Sequence, residues 1–183
     1  MQIHLFLDPN WPVPLRSQAP DNPLKRWLDY PLSLTLRLSR SFGPIEVQVL
    51  EDKLASPLAD ERKWLPHLKQ PCRIREVLLC HQGQPLVFAH SLIPQTTELH
   101  RHRSLAKLGN QPLGQWLFQQ PHIERQSISY KILRPSHPLF RRIPNAKEPH
   151  YWARRSWFKL GKEGLLVSEV FLVSMPQFES HKP

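Results

Sequence analysis

Acidic residues are scarce in this chain: 15 Asp and Glu stand against 25 Lys and Arg, a formal charge of +10. That imbalance favours anionic partners, whether nucleic acid, an anionic membrane surface or a small polyanionic metabolite, without choosing among them. Cysteine is nearly absent. Cys72 and Cys80 have neither metal-ligand nor Cys-x-x-Cys spacing, which argues against a disulfide scaffold and for a reduced, cytoplasmic protein. No apolar run reaches the length of a membrane span, and the opening Met1-Gln-Ile-His-Leu-Phe-Leu-Asp-Pro is too short an apolar run for a signal peptide. Internal repeats are missing, as are Walker, GxGxxG, HExxH and GxSxG patterns. The commonest nucleotide-binding and hydrolase classes are therefore unsupported.

What is present is enough for a folded core. The chain has 183 residues, 40% of them hydrophobic, with eight Phe and six Trp, which fits one globular domain. Residues 8–23 are rich in proline and polar groups and are expected to form an irregular lead-in. Trp27, Leu28 and the run from Leu32 to Leu38 predict two helical turns, with Ser33 or Thr35 as a cap and Gly43 as a stop. Pro31 breaks them into a helix-turn-helix hairpin. Ile45 to Leu50 alternates as a strand, and Arg73–Cys80 with Pro85–Ile93 around Gln82-Gly83-Gln84 predicts a β-hairpin. Residues 97–108 and Pro112–Phe118 read as helices, the second opened by its proline. Ile123–Ile132 reads as a strand and 133–150, with four prolines, as a long loop. Two last strands from Tyr151 to Val173 flank a Gly161-Lys-Glu-Gly164 turn. Helices followed by hairpins predict an antiparallel α+β fold.

Five features bear on candidate chemistry. Alternation puts Glu169 on one face with Leu165, Val167 and Phe171, where a carboxylate is costly unless something pairs with it. Arg75 shares a face with Val77 and Leu79. It can offer a bidentate fork to a small acid, or it can form a structural salt bridge with a neighbour of Glu76 or with Glu169. The Leu108–Phe118 segment places Gly109 and Gly114 around a helix start, where backbone N–H groups accept anions; an ordinary helix–helix turn has the same composition. His100-Arg101-His102-Arg103 reads as a solvated basic face, because His100 and His102 do not share a helix face. Arg141-Arg142 and Arg154-Arg155 could contact phosphates, yet they lie in isolated pairs without aromatic-rich RNA signatures.

Three segments together resemble the chorismate pyruvate-lyase family of ubiquinone biosynthesis. They are Arg75-Glu-Val-Leu-Leu-Cys80 with the Gly83 turn, Leu108-Gly109 with Pro112-Leu-Gly-Gln-Trp-Leu-Phe118, and Trp152-Ala-Arg-Arg-Ser156 with Leu165-Leu-Val-Ser-Glu-Val-Phe-Leu172. A weaker match at Ser33-Leu-Thr35 precedes them. The resemblance spans residues 25–176 as one domain, leaving 1–24 as lead-in and 177–183 as tail. It implies a single antiparallel sheet whose helices form a flap over a buried ligand pocket, and a lyase that converts chorismate into 4-hydroxybenzoate and pyruvate without metal or organic cofactor. It places catalytic and binding roles on Arg75 and Glu169, and backbone contacts on Leu34 and Leu113. The expected partners are chorismate and 4-hydroxybenzoate, with no nucleic acid or stable membrane insertion, and the chain is taken as a monomer. The sequence departs from the family in a longer 133–150 loop and a different N-terminal extension. Two other classes compete: a non-catalytic effector-sensor domain for a small aromatic acid, and a basic nucleic-acid binder, which would need a clustered basic stripe with stacking aromatics.

Overall fold

The computed structural model of the protein describes Trp11, residues 23–64 and 71–95, Leu105, and residues 108–121, 123–160 and 163–173. Helices α1 (Pro23–Leu28) and α2 (Leu34–Phe42) form the expected hairpin around Pro31. Ser33 is the N-cap of α2: its backbone is extended and its Oγ accepts from the Leu36 N–H at 3.3 Å, satisfying one donor that the helix cannot. Gly43 ends the helix at φ +97°, and its N–H donates to Ser39 O; few other residues tolerate that backbone. Helix α3 (Leu113–Gln119) begins one residue after its expected proline, because Pro112 is the extended N-cap. The expected helix at 97–108, and with it the His100–Arg103 cluster, falls largely outside the described residues.

Six strands form one antiparallel sheet: β1 (Glu46–Ala55), β2 (Cys72–His81), β3 (Gln84–Pro94), β4 (Ile123–Leu133), β5 (Tyr151–Leu160) and β6 (Glu163–Phe171), in the order β1-β2-β3-β6-β5-β4. The β2–β3 hairpin turns on Gln82 and Gly83, both at positive φ, the backbone that matches the twist of its strands. Strand β1 runs five residues past Leu50; a register shift between Val49 and Glu51 interrupts its alternation. Glu163 and Gly164 belong to β6, so the last turn is tighter than the four-residue turn expected.

Both faces of the sheet are covered. On one face Val77, Leu79, Val87 and Ala89 pack under Leu24, Trp27, Leu28, Leu34 and Leu38 of the α1–α2 hairpin. Further along the same face, Leu165 and Val167 pack with Leu113, Trp116 and Leu117 of α3. The opposite face carries Leu78, Cys80, Phe88 and Val170 beneath Trp11, Leu139, Phe140 and Ile143. The 133–150 segment is the expected long loop, with one 3₁₀ turn at Phe140–Arg142, and it packs as a cover over this face. No described helix is long and apolar enough to cross a membrane.

Candidate active site

The helix-covered face brings the expected site residues together. Arg75 of β2 is 2% exposed. Its Nη1 donates to Asp52 Oδ2 at 3.0 Å, and its Nη2 donates to Gly109 O at 2.6 Å and Gln111 O at 3.4 Å. The salt bridge anticipated for Arg75 therefore exists, but its partner is Asp52, directly opposite on β1. Asp52 is shared, since Arg73 closes a two-pronged fork on it. Burial pushes the Asp52 carboxyl up, and the bonds from Arg73 and Arg75 more than reverse this, leaving it below the usual carboxylate range.

Through Gly109 and Gln111, Arg75 also fixes the loop that leads into α3. Leu113 and Leu34 are each the first residue of a short helix, so their N–H groups lack intrahelical acceptors. The two helix starts adjoin: a Cβ built on Gly114 would sit 3.7 Å from Ser33 Oγ. One guanidinium and two unpaired backbone donors thus frame one end of the inner face.

Glu169 lies on the same face of β6. In the pairing, Arg75 faces Ser91, Ser91 faces Val167, and Glu169 is two residues beyond. Two strand spacings and one pleat repeat separate Arg75 and Glu169 by roughly 12 Å between Cα atoms. The floor between them is made of small or apolar groups, Ala89, Ser91 and Val167. Val77, Ala89, Leu113, Val167 and Glu169 all keep 7–8% exposure in a region where most core neighbours keep almost none.

Arg154, weighed from the sequence only as half of an isolated arginine pair, completes this end. Arg154 of β5 is fully buried, stands opposite Glu169 and donates from Nε to Glu169 Oε2 at 2.5 Å. Its Nη1 donates to the carbonyls of Trp27 (3.3 Å), Leu28 (3.3 Å) and Tyr30 (2.9 Å) at the end of α1. Arg125 of β4 holds the same turn through Tyr30 O and Pro31 O and lies over the rings of Phe118 and Phe158. The alternation that exposed Glu169 to sequence reading could also have flagged Arg154, which shares its face with buried Phe158.

Arg155 points the other way. It stacks 4.2 Å over Trp11 and donates to Ser168 Oγ and Asp60 Oδ2. Around it, His90 lies between Glu76 (Nδ1–Oε1 2.9 Å) and Glu61 (Nε2–Oε1 3.2 Å); the second approach is too poorly aligned for a hydrogen bond and is an ionic contact. Arg142 closes a fork on Glu76. This second layer of charge is structural: Arg155 is buried, and Arg142, though exposed, is bonded to Glu76 and Glu51. Among the described residues no group of His, Cys, Asp and Glu could hold a metal ion.

The inner face thus carries the Arg75 guanidinium and two helix-start N–H groups at one end, Ala89 and Val167 between, and Glu169 at the other. A family model described as chorismate lyase matches residues 10–181. A Methylobacillus flagellatus protein named probable chorismate pyruvate-lyase is 40% identical over 154 residues, spanning 81% of this chain and 86% of its own. One of the same name from Nitrosomonas eutropha is 37% identical over 170 residues, spanning 91% and 94%. A solved GntR-family transcriptional regulator from Bacillus cereus shares the fold, with a TM-score of 0.52 at 10% identity over 70% of this chain and 91% of that one. The fold is therefore shared with regulators, while the sequence likeness is to the lyases. The chain belongs to the chorismate lyase family.

Proposed function

We propose that the protein eliminates pyruvate from chorismate to give 4-hydroxybenzoate, the ring precursor committed to ubiquinone. The observation that carries this reading is the spacing of an anion clamp and a carboxylate across one buried apolar floor. Arg75, with the N–H groups of Leu113 and Leu34, binds the ring carboxylate. Glu169, fixed through one oxygen by Arg154, accepts from the ring hydroxyl with the other.

The reaction breaks the bond between the ring carbon and the enolpyruvyl oxygen. The neighbouring carbon, which bears the hydroxyl, loses its proton, and the ring becomes aromatic. The departing three-carbon unit takes up a proton at its methylene carbon to become pyruvate. Aromatisation supplies the driving force, so orientation in a dry pocket is the main task of the chain. Two groups can take the ring proton: the enolpyruvyl methylene, which delivers it internally, and Glu169. General acid–base help is worth about 10²–10⁴ in rate, so Glu169→Gln separates the two routes. Near-normal turnover assigns Glu169 a positioning role, and a loss on that scale assigns it the proton.

The flap covers a product whose carboxylate and hydroxyl both keep their partners, so product release limits turnover. The surplus positive charge steers a dianionic substrate. The test is incubation with chorismate and quantification of both products, with Arg75→Ala in parallel. Equal 4-hydroxybenzoate and pyruvate, lost in the variant, support the lyase. Tight 4-hydroxybenzoate binding with no turnover would instead favour an effector-binding domain.

A further inference from the structure

The charges around Glu169 do not balance. Arg154 and Arg125 both lie on this face, with Glu169 as the carboxylate bonded to Arg154. Arg37 is close enough for the charge of Arg154 to press on it. Burial first, and the charge of Arg154 second, push the Arg125 guanidinium down to about 10. Arg154 is fully buried, Arg125 and Arg37 are half-buried, and Asp29 is the other carboxylate nearby, on Tyr130; buried positive charge that is only partly offset is costly unless an anion joins it.

The Arg154 fork is also half open. Nε and Nη2 of a guanidinium share one edge and normally close together on a carboxylate. Arg73 does so on Asp52, and Arg142 on Glu76. Arg154 reaches Glu169 through Nε alone, and its buried Nη2 has no hydrogen-bond partner. Because Nε is engaged with Glu169, Nη2 is directed to the Glu169 side. Arg125 Nε and Ser156 Oγ are likewise buried without partners. Ser156 shares the face of Arg154 one pleat repeat along, opposite Val167. Three buried polar atoms without hydrogen-bond partners thus lie on the β5–β4 side of Glu169.

We propose that Arg154, backed by Arg125, is the subsite for the second carboxylate of the substrate, the one on the enolpyruvyl group. The inference rests on the lyase reading and extends it to the leaving group. In chorismate the enolpyruvyl ether is on the ring carbon next to the one bearing the hydroxyl. A hydroxyl seated on Glu169 therefore brings the ether and its carboxylate beside Glu169, where the open edge of Arg154 lies. The dianion then meets one guanidinium at each end, Arg75 for the ring carboxylate and Arg154 for the leaving group. Since Arg154 Nη1 also holds the end of α1, the same residue ties the leaving group to the flap.

The test uses stable aromatic probes on the intact protein: 4-hydroxybenzoate, 3-carboxymethoxy-4-hydroxybenzoate and its neutral carbamoylmethoxy counterpart, with Kd measured by calorimetry. The native protein is expected to prefer the carboxylate over the amide by roughly ten- to a hundredfold, the value of a charge-assisted bond. In Arg154→Gln that acid-to-amide ratio falls to near unity, and because the ratio cancels any loss common to both probes, a general weakening through Glu169 or the flap does not mimic it. Equal affinity for acid and amide in the native protein overturns the proposal, as does a preference that survives in Arg154→Gln. Should that variant lose its fold with its α1 contacts, Arg125→Gln decides: a reduced preference supports the subsite and an unchanged one overturns it. Normal chorismate turnover without carboxylate preference would defeat this subsite alone, whereas absent turnover would defeat the lyase reading beneath it.

Discussion

Replacing Arg75 with Met removes the clamp but keeps much of the side-chain volume. The structural cost should be small, because Asp52 keeps its fork from Arg73 and the exposed Gly109 and Gln111 can turn their carbonyls to water. Losing a few such bonds costs about 1 kcal/mol net, or a fall in Tm of about 2–4 °C for a chain of this size. Binding should suffer far more. A charge-assisted hydrogen bond contributes about 1.5–3 kcal/mol, which is roughly ten- to 150-fold in Kd. The decisive assay compares two ligands by calorimetry: 4-hydroxybenzoate, which carries the carboxylate, and phenol, which lacks it. The native protein should bind the acid much more tightly, and in Arg75→Met the two affinities should converge through weaker acid binding alone. A parallel loss for both ligands would refute the reasoning, since it would mean that Arg75 only shapes the α3 approach loop.

Burial alone would lower the His90 pKa, but Glu61 and Glu76 raise it above the usual 6.5 to about 9. Its stabilisation is therefore complete below the unfolded value and drains away as pH rises through about 9. Thermal unfolding from pH 6 to 10 should show a fall in Tm near pH 9 that is missing in His90→Gln. Gly164→Ala would place a Cβ 2.0 Å from Trp157 Cζ2. Displacing that ring from its stack on Trp64 should cost about 1–3 kcal/mol, visible as a lower denaturation midpoint and altered tryptophan fluorescence. Burial drives the Cys72 thiol up to about 12 and raises that of Cys80, so neither should react with a disulfide reagent until the protein is unfolded. If basic charge steers the dianion, kcat/KM for chorismate should fall as salt is raised from 20 to 500 mM on the order of several-fold, with kcat little changed.

Much of the fold was legible because its signals are local. Ser33, Pro31 and Gly43 announce the helix hairpin through capping and backbone restrictions that act within a few residues. The period-2 pattern locates all six strands and puts Arg75 and Glu169 on inward faces. What failed to show is what depends on distant partners. Asp52 lies in the half of β1 where a bulge and the run Glu51-Asp52-Lys53 hide the alternation, so the mate of Arg75 was invisible. The β3–β6 pairing, which sets the distance between clamp and carboxylate, joins strands separated by the whole α3 and β4 region. The packing of Leu139, Phe140 and Ile143 could not be read from a proline-rich stretch with no period.

Arg154 and Arg155 show where a pattern was present and its meaning was not. Adjacent arginines on an alternating strand must point to opposite faces, and β5 lies inside the sheet between β6 and β4, so both had to be buried. Burial of two guanidinium groups demands carboxylates on both sides. On the outer face the demand is met by Asp60 and Glu61 beneath Trp11. On the inner face Glu169 meets only half of it, through one oxygen and one nitrogen. Arg73 and Arg142 close full forks on their carboxylates, whereas Arg154 leaves the Nη2 on its Glu169 side without a partner. In the subsite proposed above, the opening is kept for an anion that comes and goes, the carboxylate of the leaving group.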